Sequence, residues 1–335
     1  MADWIALAED ITSKVLAPNA AEVDRTGHIP NAHFAELAAR GFYGFPGAGF
    51  TLEEAFEAGT ALISGCLATG FVWAQHVGAL RAVAASDNEE LKAEYLPRMA
   101  AGEFRCPVSY AGTLAKPTLF LEETEGGYVL DGIAPFVSGW DYTQGLVATA
   151  LLRGGDGDRL GTVLVTDRDA RRLRAHPLPL IAADASHTVR LAVDALPIPA
   201  AHVVNIGTTT GFREVRMVAD WINGALAFGV VRDCLRELER LDADPAPFRD
   251  RYEQLRARYT GAAGDLAAVH QLRAQAGLLA VHTATAAVVA TGSRAVLAGA
   301  TAERLTRAAQ FVLVATTRDP IKQALTEALA AHAPD

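Results

Sequence analysis

GGYVLDGIAPFVSGWDYTQGLVATALL (residues 126–152) and ASHTVRLAVDALPIPAAHV (residues 185–203) decide how this chain is read. In the second stretch Val189, Leu191 and Val193 alternate with Arg190, Ala192 and Asp194, the period-two pattern of a half-buried strand. In the first, the short runs 128–130 and 145–152 are apolar and bounded by Gly and Asp. A further run at 162–165 follows the turn-rich GGDGDRLG, residues 154–161. Pro197 and Pro199 read as the end of the sheet, because proline cannot donate to a ladder. No other long segment reads as β-structure.

Outside these stretches the pattern is helical. Trp4, Ile5, Ala8, Ile11, Val15 and Leu16 recur at helical spacing. A second helix over 31–40 is opened by Pro30 and stopped by Gly41. Helices over 52–67 and 71–85 form a pair, and 88–100 follows with Asp87 as its N-cap. After the sheet, a long amphipathic helix runs from Met217 to Leu241 and is broken by Asp244-Pro245-Ala246-Pro247. Helices over 248–272, 274–290 and 302–314 come next. The last, 319–332, starts with Asp319 as N-cap and Pro320 at the first turn, and carries Ile321, Ala324, Leu325 and Ala328 as its apolar stripe. Short connections between such helices imply an antiparallel bundle. The fold class is therefore α+β, with an α-helical domain (1–103), a β-barrel or sandwich domain (104–206) and a C-terminal helix bundle (207–335). There is no internal repeat and no low-complexity linker.

Bulk properties narrow the function. The 335 residues are 50% hydrophobic, enough for a large core in two or three domains. The net charge of −9 excludes a general nucleic-acid binder, which needs a basic surplus to neutralise phosphates. The basic residues are mostly Arg, as in proteins from GC-rich bacterial genomes. Cys66, Cys106 and Cys234 are odd in number, far apart and in apolar contexts, so they read as buried reduced thiols of a cytoplasmic protein. No metal spacing, Ser/His/Asp order or HExxH motif is present. The first residues lack a basic and apolar leader pattern, so no signal peptide is read. The longest apolar runs are interrupted short of a membrane span.

The order helical–sheet–bundle, with DRTGHIP (24–30), CLATGFVWAQHVGAL (66–80), YLPRMAAGEF (95–104) and SHTVRLAVDALPIPAAHV (186–203) in sequence, resembles the acyl-CoA dehydrogenase superfamily over nearly the whole chain. Resemblance implies a flavoprotein oxidoreductase acting on an acyl thioester, carried by coenzyme A or a carrier protein. It implies FAD held between the sheet domain and the bundle, and a homodimer or homotetramer whose neighbouring subunit completes the site. A carboxylate takes the α-proton while hydride leaves for the flavin.

Residue by residue, the resemblance puts the first flavin loop at PVSYAGTLAKP (107–117), where Ser109, Ala111 and Thr113 supply hydroxyl and backbone contacts. The family's Thr-Glu pair and Gly-Ser-Asp turn are absent there. The second loop is PFVSGW (135–140), with Phe136 at the aromatic position and Ser138 at the hydroxyl position. Phe136 also reads as a core strand aromatic. The adenine-side motif is reduced to Gly292, Ser293 and Arg294 in TGSRAV (291–296). The bundle's Phe-Gly phosphate grip is missing near Pro247, and Arg249 or Arg251 stands in for it, or else is a solvated surface arginine. Thr316 occupies the usual position of the catalytic Glu and Thr317 that of the Gly beside it. A threonine is no general base at neutral pH unless another group activates it. Asp220, where many members have Arg, is the candidate base; it also reads as a helix-surface Asp. His76 reads as a hydrogen-bonded packing residue, and His187, in the strand motif, as lying at a sheet edge. Three functions follow: a flavin-dependent acyl-thioester oxidoreductase, a flavin monooxygenase of the same fold, and a flavin-free enzyme or binding protein.

Overall fold

The computed structural model describes residues 3–44, 50–113, 116–154, 158–166 and 171–331, and within them omits the side chains of 213–216. Helices α1 (Trp4–Ile11), α2 (Ala17–Thr26), α3 (Asn31–Ala39), α4 (Leu52–Gly65), α5 (Leu67–Ala84) and α6 (Glu89–Ala100) form the N-terminal region. A π-helical turn, Thr12–Leu16, joins α1 to α2. Thr51 opens α4 with a capping box: its hydroxyl accepts from the Glu54 amide while the Glu54 carboxylate accepts from the Thr51 amide. Asn88, not Asp87, caps α6 by accepting from the Leu91 amide. The same side chain donates to the Ala201 and Val203 carbonyls, which ties the cap to the sheet.

The middle region is one eight-stranded sheet. Its strands are β1 (Val108–Ser109), β2 (Leu119–Thr124), β3 (Gly127–Val137), β4 (Leu146–Leu152), β5 (Arg159–Val165), β6 (Leu173–Pro177), β7 (Val189–Pro199) and β8 (Val203–Thr208). They run in the order β6-β7-β3-β2-β4-β5-β8, with β1 pairing parallel to β4. The sheet does not end at the prolines as the sequence suggested. Pro197 and Pro199 pair with Val129 and Gly127 beyond the end of β6, where proline's missing N–H removes no ladder bond on that side. The chain then adds β8 against β5.

Six helices follow among the described residues: α7 (Thr209–Ile222), α8 (Ala225–Arg240), α9 (Ala246–Gly261), α10 (Leu266–Thr291), α11 (Thr301–Val314) and α12 (Asp319–Ala331). Position 332, the expected end of the last helix, lies outside the described residues. Two breaks differ from the sequence reading. The helix expected over 217–241 is split at Asn223-Gly224, because the Tyr259 hydroxyl takes the Trp221 carbonyl at 2.5 Å. A Cβ at position 224 would meet that hydroxyl at 2.3 Å, so only glycine allows the approach. The helices expected to meet near 273 instead meet at 262–265, where Asp265 caps α10 through the Ala268 amide.

One core joins the two helical regions. Phe56 of α4 packs against Phe228 and Tyr259 with ring centroids 5.4 Å apart in both cases. A second core fills the sheet around Leu121, Leu130, Val163 and Leu191. A third packs α5 and α6 on the sheet through Leu80, Met99, Phe104 and Leu164. Helix α10 with the turn after it is, among the described residues, the one stretch long and apolar enough to cross a membrane by length and composition. The sequence reading missed it. In this fold α10 buries Val269, Leu272, Ala276, Ala280 and Ala284 in the bundle.

Candidate functional site

The sheet side of the site is built by β1, the turn after it and the end of β3, which lie against one another. Pro135 has no N–H to give to the ladder, and the β3–β7 register slips by one residue between Ala134 and Val137. That bulge turns Phe136 outward: its ring is 57% exposed, unlike a core strand aromatic. Ser138 follows, buried, and accepts from the Thr188 hydroxyl at 2.8 Å. The hydroxyls of Thr188 and Ser186 are themselves 2.8 Å apart. With Thr188 donating to it, Ser138 keeps its own hydrogen for another acceptor. Ser109 Oγ is buried and has no hydrogen-bond partner among the described residues. Ala111 and Thr113 form a 3-10 turn in which the Thr113 hydroxyl donates to the Tyr110 carbonyl.

Two histidines flanking this side are structural. His76 is buried, accepts from the Cys106 amide at Nδ1 and contacts the Met99 carbonyl through Nε2, so it is a neutral ring fixed in one tautomer. Burial pushes it down to about 4. His187, in the left-handed region at φ 45°, bridges Asp141 at 2.8 Å and the Gly27 carbonyl at 2.9 Å, holding the sheet to α2.

The helix side forms where α7, α10 and the turn between α11 and α12 meet. Asp220 is buried, not on a helix surface, with Arg318 Nε at 3.4 Å and His270 Nε2 at 3.6 Å. Arg273, also buried, donates to Thr316 Oγ1 at 2.9 Å and to the Thr316 carbonyl at 3.3 Å, and reaches the Asp220 carbonyl at 3.5 Å. Burial pulls its guanidinium below the usual arginine range, opposed by Tyr259 and Asp220. Thr316 sits at φ 56°, unfavourable for a β-branched residue, and the Arg273 fork holds it there. The Thr317 hydroxyl turns back to the Val314 carbonyl at 2.9 Å.

Helix α7 connects the two sides. Phe212, near its start, packs edge-on against Tyr110 of the first loop at 5.3 Å. Asp220 lies eight residues further along, about 12 Å at 1.5 Å per residue. Gly292, Ser293 and Arg294 are exposed at the far end of α10, about 27 Å along that helix from Arg273. The chain does not bring them to the other site residues. Arg249 is paired with Glu239, and Arg251 is exposed. A cavity of about 330 Å³ between α1 and α8–α9 is lined by paired Glu9 and Arg232 and is separate from this site.

The sequence reading named Asp220 and Thr316; the structure puts beside them His270, Arg273 and Arg318, which that reading did not name. One signal was present: a His and an Arg three residues apart, hence on one face, inside an otherwise Ala- and Leu-rich helix. The sheet side offers a buried hydroxyl at Ser109 with no partner among the described residues, a spare donor at Ser138 and an outward-facing ring at Phe136, groups of the kind a flavin ring would need. The α8–α9 turn carries Asp242 and Asp244 instead of a cation for a pyrophosphate.

Comparison with known proteins agrees with this layout. Residues 3–103 match the family model for the acyl-CoA dehydrogenase N-terminal domain. An acryloyl-CoA reductase (NADH) from Anaerotignum propionicum is 28% identical over 48% of this chain; the match spans 44% of that relative's length. Butyryl-CoA dehydrogenase from Megasphaera elsdenii superposes with a TM-score of 0.84 over 98% of this chain and 97% of its own, at 17% identity. The HsaA monooxygenase from M. tuberculosis superposes with a TM-score of 0.79 over 99% and 98%, at 15% identity. Identities this low speak for the fold alone.

Proposed function

We propose that this chain, whose residues 3–103 match the acyl-CoA dehydrogenase N-terminal domain and whose fold is that of butyryl-CoA dehydrogenase, is a member of the acyl-CoA dehydrogenase superfamily and a flavin-dependent oxidoreductase acting on an acyl thioester, with the family's Glu replaced by a cluster centred on Asp220. The observation that carries this reading is the meeting of buried Asp220, His270 and Arg273 with Thr316, at one end of α7, the helix whose other end touches the first sheet loop.

In this reading Phe136 offers an apolar face to the flavin ring, and Ser138 and Ser109 supply hydroxyls to its polar edge. The flavin, when bound, supplies hydride transfer. Ala111, Thr113 and Thr317 line its path with backbone and hydroxyl groups. Asp220 exchanges the proton at the substrate α-carbon, with His270 beside it. Arg273 holds Thr316 in its strained turn. Gly292, Ser293 and Arg294 are too far along α10 to serve the same chain's site, so they serve that of a second copy. Exposed Val289, Val296 and Leu297 give that copy an apolar surface to meet, in a homodimer or homotetramer. Three free, buried cysteines suit a reducing, cytoplasmic setting.

Two specific observations favour other readings. Thr316 at the Glu position suits a flavin monooxygenase, in which oxygen activation replaces proton abstraction. The acidic α8–α9 turn suits a protein that has lost the flavin. Spectroscopy separates the three. The proposed oxidoreductase is yellow as purified or after adding FAD, and its flavin bleaches on anaerobic addition of an acyl-CoA. Binding of reduced flavin alone, with hydrogen peroxide formed in air, supports the monooxygenase. A protein that stays colourless and binds neither form overturns the flavoenzyme reading.

A further inference from the structure

Two guanidinium groups share one carboxylate at the helix side of the site. Asp220 is the only described carboxylate acting on Arg273, and it also faces Arg318 and His270. Arg273, 6% exposed, makes its own hydrogen bonds only to neutral oxygens: the Asp220 and Thr316 carbonyls and the Thr316 hydroxyl. His270 is 8% exposed, and its Nε2 is enclosed with no hydrogen-bond partner among the described residues. Arg318 spends one N–H on Asp220 at 3.4 Å, and its side chain is 21% exposed at the edge of the cluster.

Buried cations in excess over their counter-charge are costly, and a buried N–H without an acceptor adds to that cost. Both deficits are met by one ligand: an anion with two acceptor oxygens. A carboxylate matches the flat fork of an arginine better than it matches a lysine. We propose that this end of the bundle binds an acyl group carrying its own carboxylate, so that the substrate is the half-thioester of a dicarboxylic acid. The inference rests on reading this site as the acyl-thioester pocket. Arg318 and Arg273 hold the free carboxylate, and His270 Nε2 donates to it. A neutral acyl chain of equal length leaves all three unsatisfied and is discriminated against for that reason.

The test is calorimetric titration of the full-length protein with glutaryl-CoA and valeryl-CoA, which have the same acyl length, and with free coenzyme A. Carrier phosphates are identical in all three, so they cancel from the comparison. Glutaryl-CoA is expected to bind about tenfold or more tightly than valeryl-CoA, as one or two charge-assisted hydrogen bonds imply. Arg273→Gln and Arg318→Gln are each expected to bring that ratio towards one. Should Arg273→Gln fail to fold, Arg318→Gln decides, because its side chain is partly exposed and its loss is tolerated more easily. Equal affinities, or tighter valeryl-CoA binding, would overturn the dicarboxylic substrate and leave the acyl-thioester reading standing. Binding of neither thioester beyond free coenzyme A would overturn both. A preference for glutaryl-CoA that survives both substitutions would also sink the proposal.

Discussion

On the sheet side of the site, uncharged hydroxyls hand hydrogen bonds from Ser186 to Thr188 to Ser138, beside an outward-facing Phe136. On the helix side, charge is concentrated instead: Asp220, Arg273 and Arg318 crowd around His270 and a strained Thr316. The second sheet loop has an aromatic and a hydroxyl residue, as the superfamily resemblance led us to expect, while the first lacks the expected Thr-Glu pair and Gly-Ser-Asp turn. The helix side carries an acid where the resemblance expects arginine, and Arg273 against Thr316 where it expects glutamate. A neutral hydroxyl ladder tolerates change around it, because each member has a local partner. A buried charge cluster does not, because each member depends on the others. The two sides should therefore respond very differently to mutation and pH.

The largest effect is expected at Asp220. Replacing it with Ala removes the one described carboxylate that faces Arg273 and Arg318, and buried pairs broken from one side typically lose about 3–5 kcal/mol. Urea unfolding should show the midpoint fall with an unchanged slope. Asp220→Asn keeps the volume, should cost less, and should still remove turnover if Asp220 exchanges the α-proton. Loss of less than about 0.5 kcal/mol in the Ala variant, the range of ordinary surface substitutions, would mean that the charges are screened by solvent and that the helix side is no different from the sheet side.

Acid should strike the sheet side next, through its support and not through the hydroxyls. His76 anchors the Cys106 amide just before β1, and burial pushes it down to about 4 from an ordinary 6.5. A ring that must stay neutral when folded binds its proton more readily when unfolded. Its contribution is thus complete above pH 6.5 and is lost as pH falls towards 4. The full loss is about 3 kcal/mol at 1.36 kcal/mol per unit. Urea midpoints measured between pH 4 and 7 should show this slope in the wild type. In His76→Gln the slope should flatten, with a lower but level stability. An unchanged slope would assign the acid sensitivity to other groups.

The unequal legibility of the two sides has the same physical root. Strand β7 was read from Val189, Leu191 and Val193 because period-two alternation is local, and Ser138 followed from its place in a short motif. The hidden features depend on residues distant in sequence. The break at Gly224 exists because Tyr259, on another helix, takes the Trp221 carbonyl. Strand β8 exists because β5 offers it an edge after the prolines. By sequence Arg273 and His270 are polar interruptions of an apolar helix, and only the fold brings Thr316 and Asp220 against them. Asp87 and Asn88 are both good caps by type, and only the contacts of Asn88 with 201 and 203 separate them.

The smallest effect on stability, and the sharpest on ligand binding, is expected at Phe136. At 57% exposure, with a bulge turning it off the core, its truncation to Ala should change stability by no more than about 0.5 kcal/mol. A strand aromatic kept for packing would instead cost about 3–5 kcal/mol on the same change. Flavin retention is the second readout. Loss of the aromatic face should weaken FAD binding, seen as flavin released on gel filtration, while the folded protein elutes unchanged. A stable variant that retains its flavin would leave the ring as mere exposed surface. The sheet side would then reduce to its hydroxyls, and the contrast between the two sides would rest on Ser109, Ser138 and Thr188 alone.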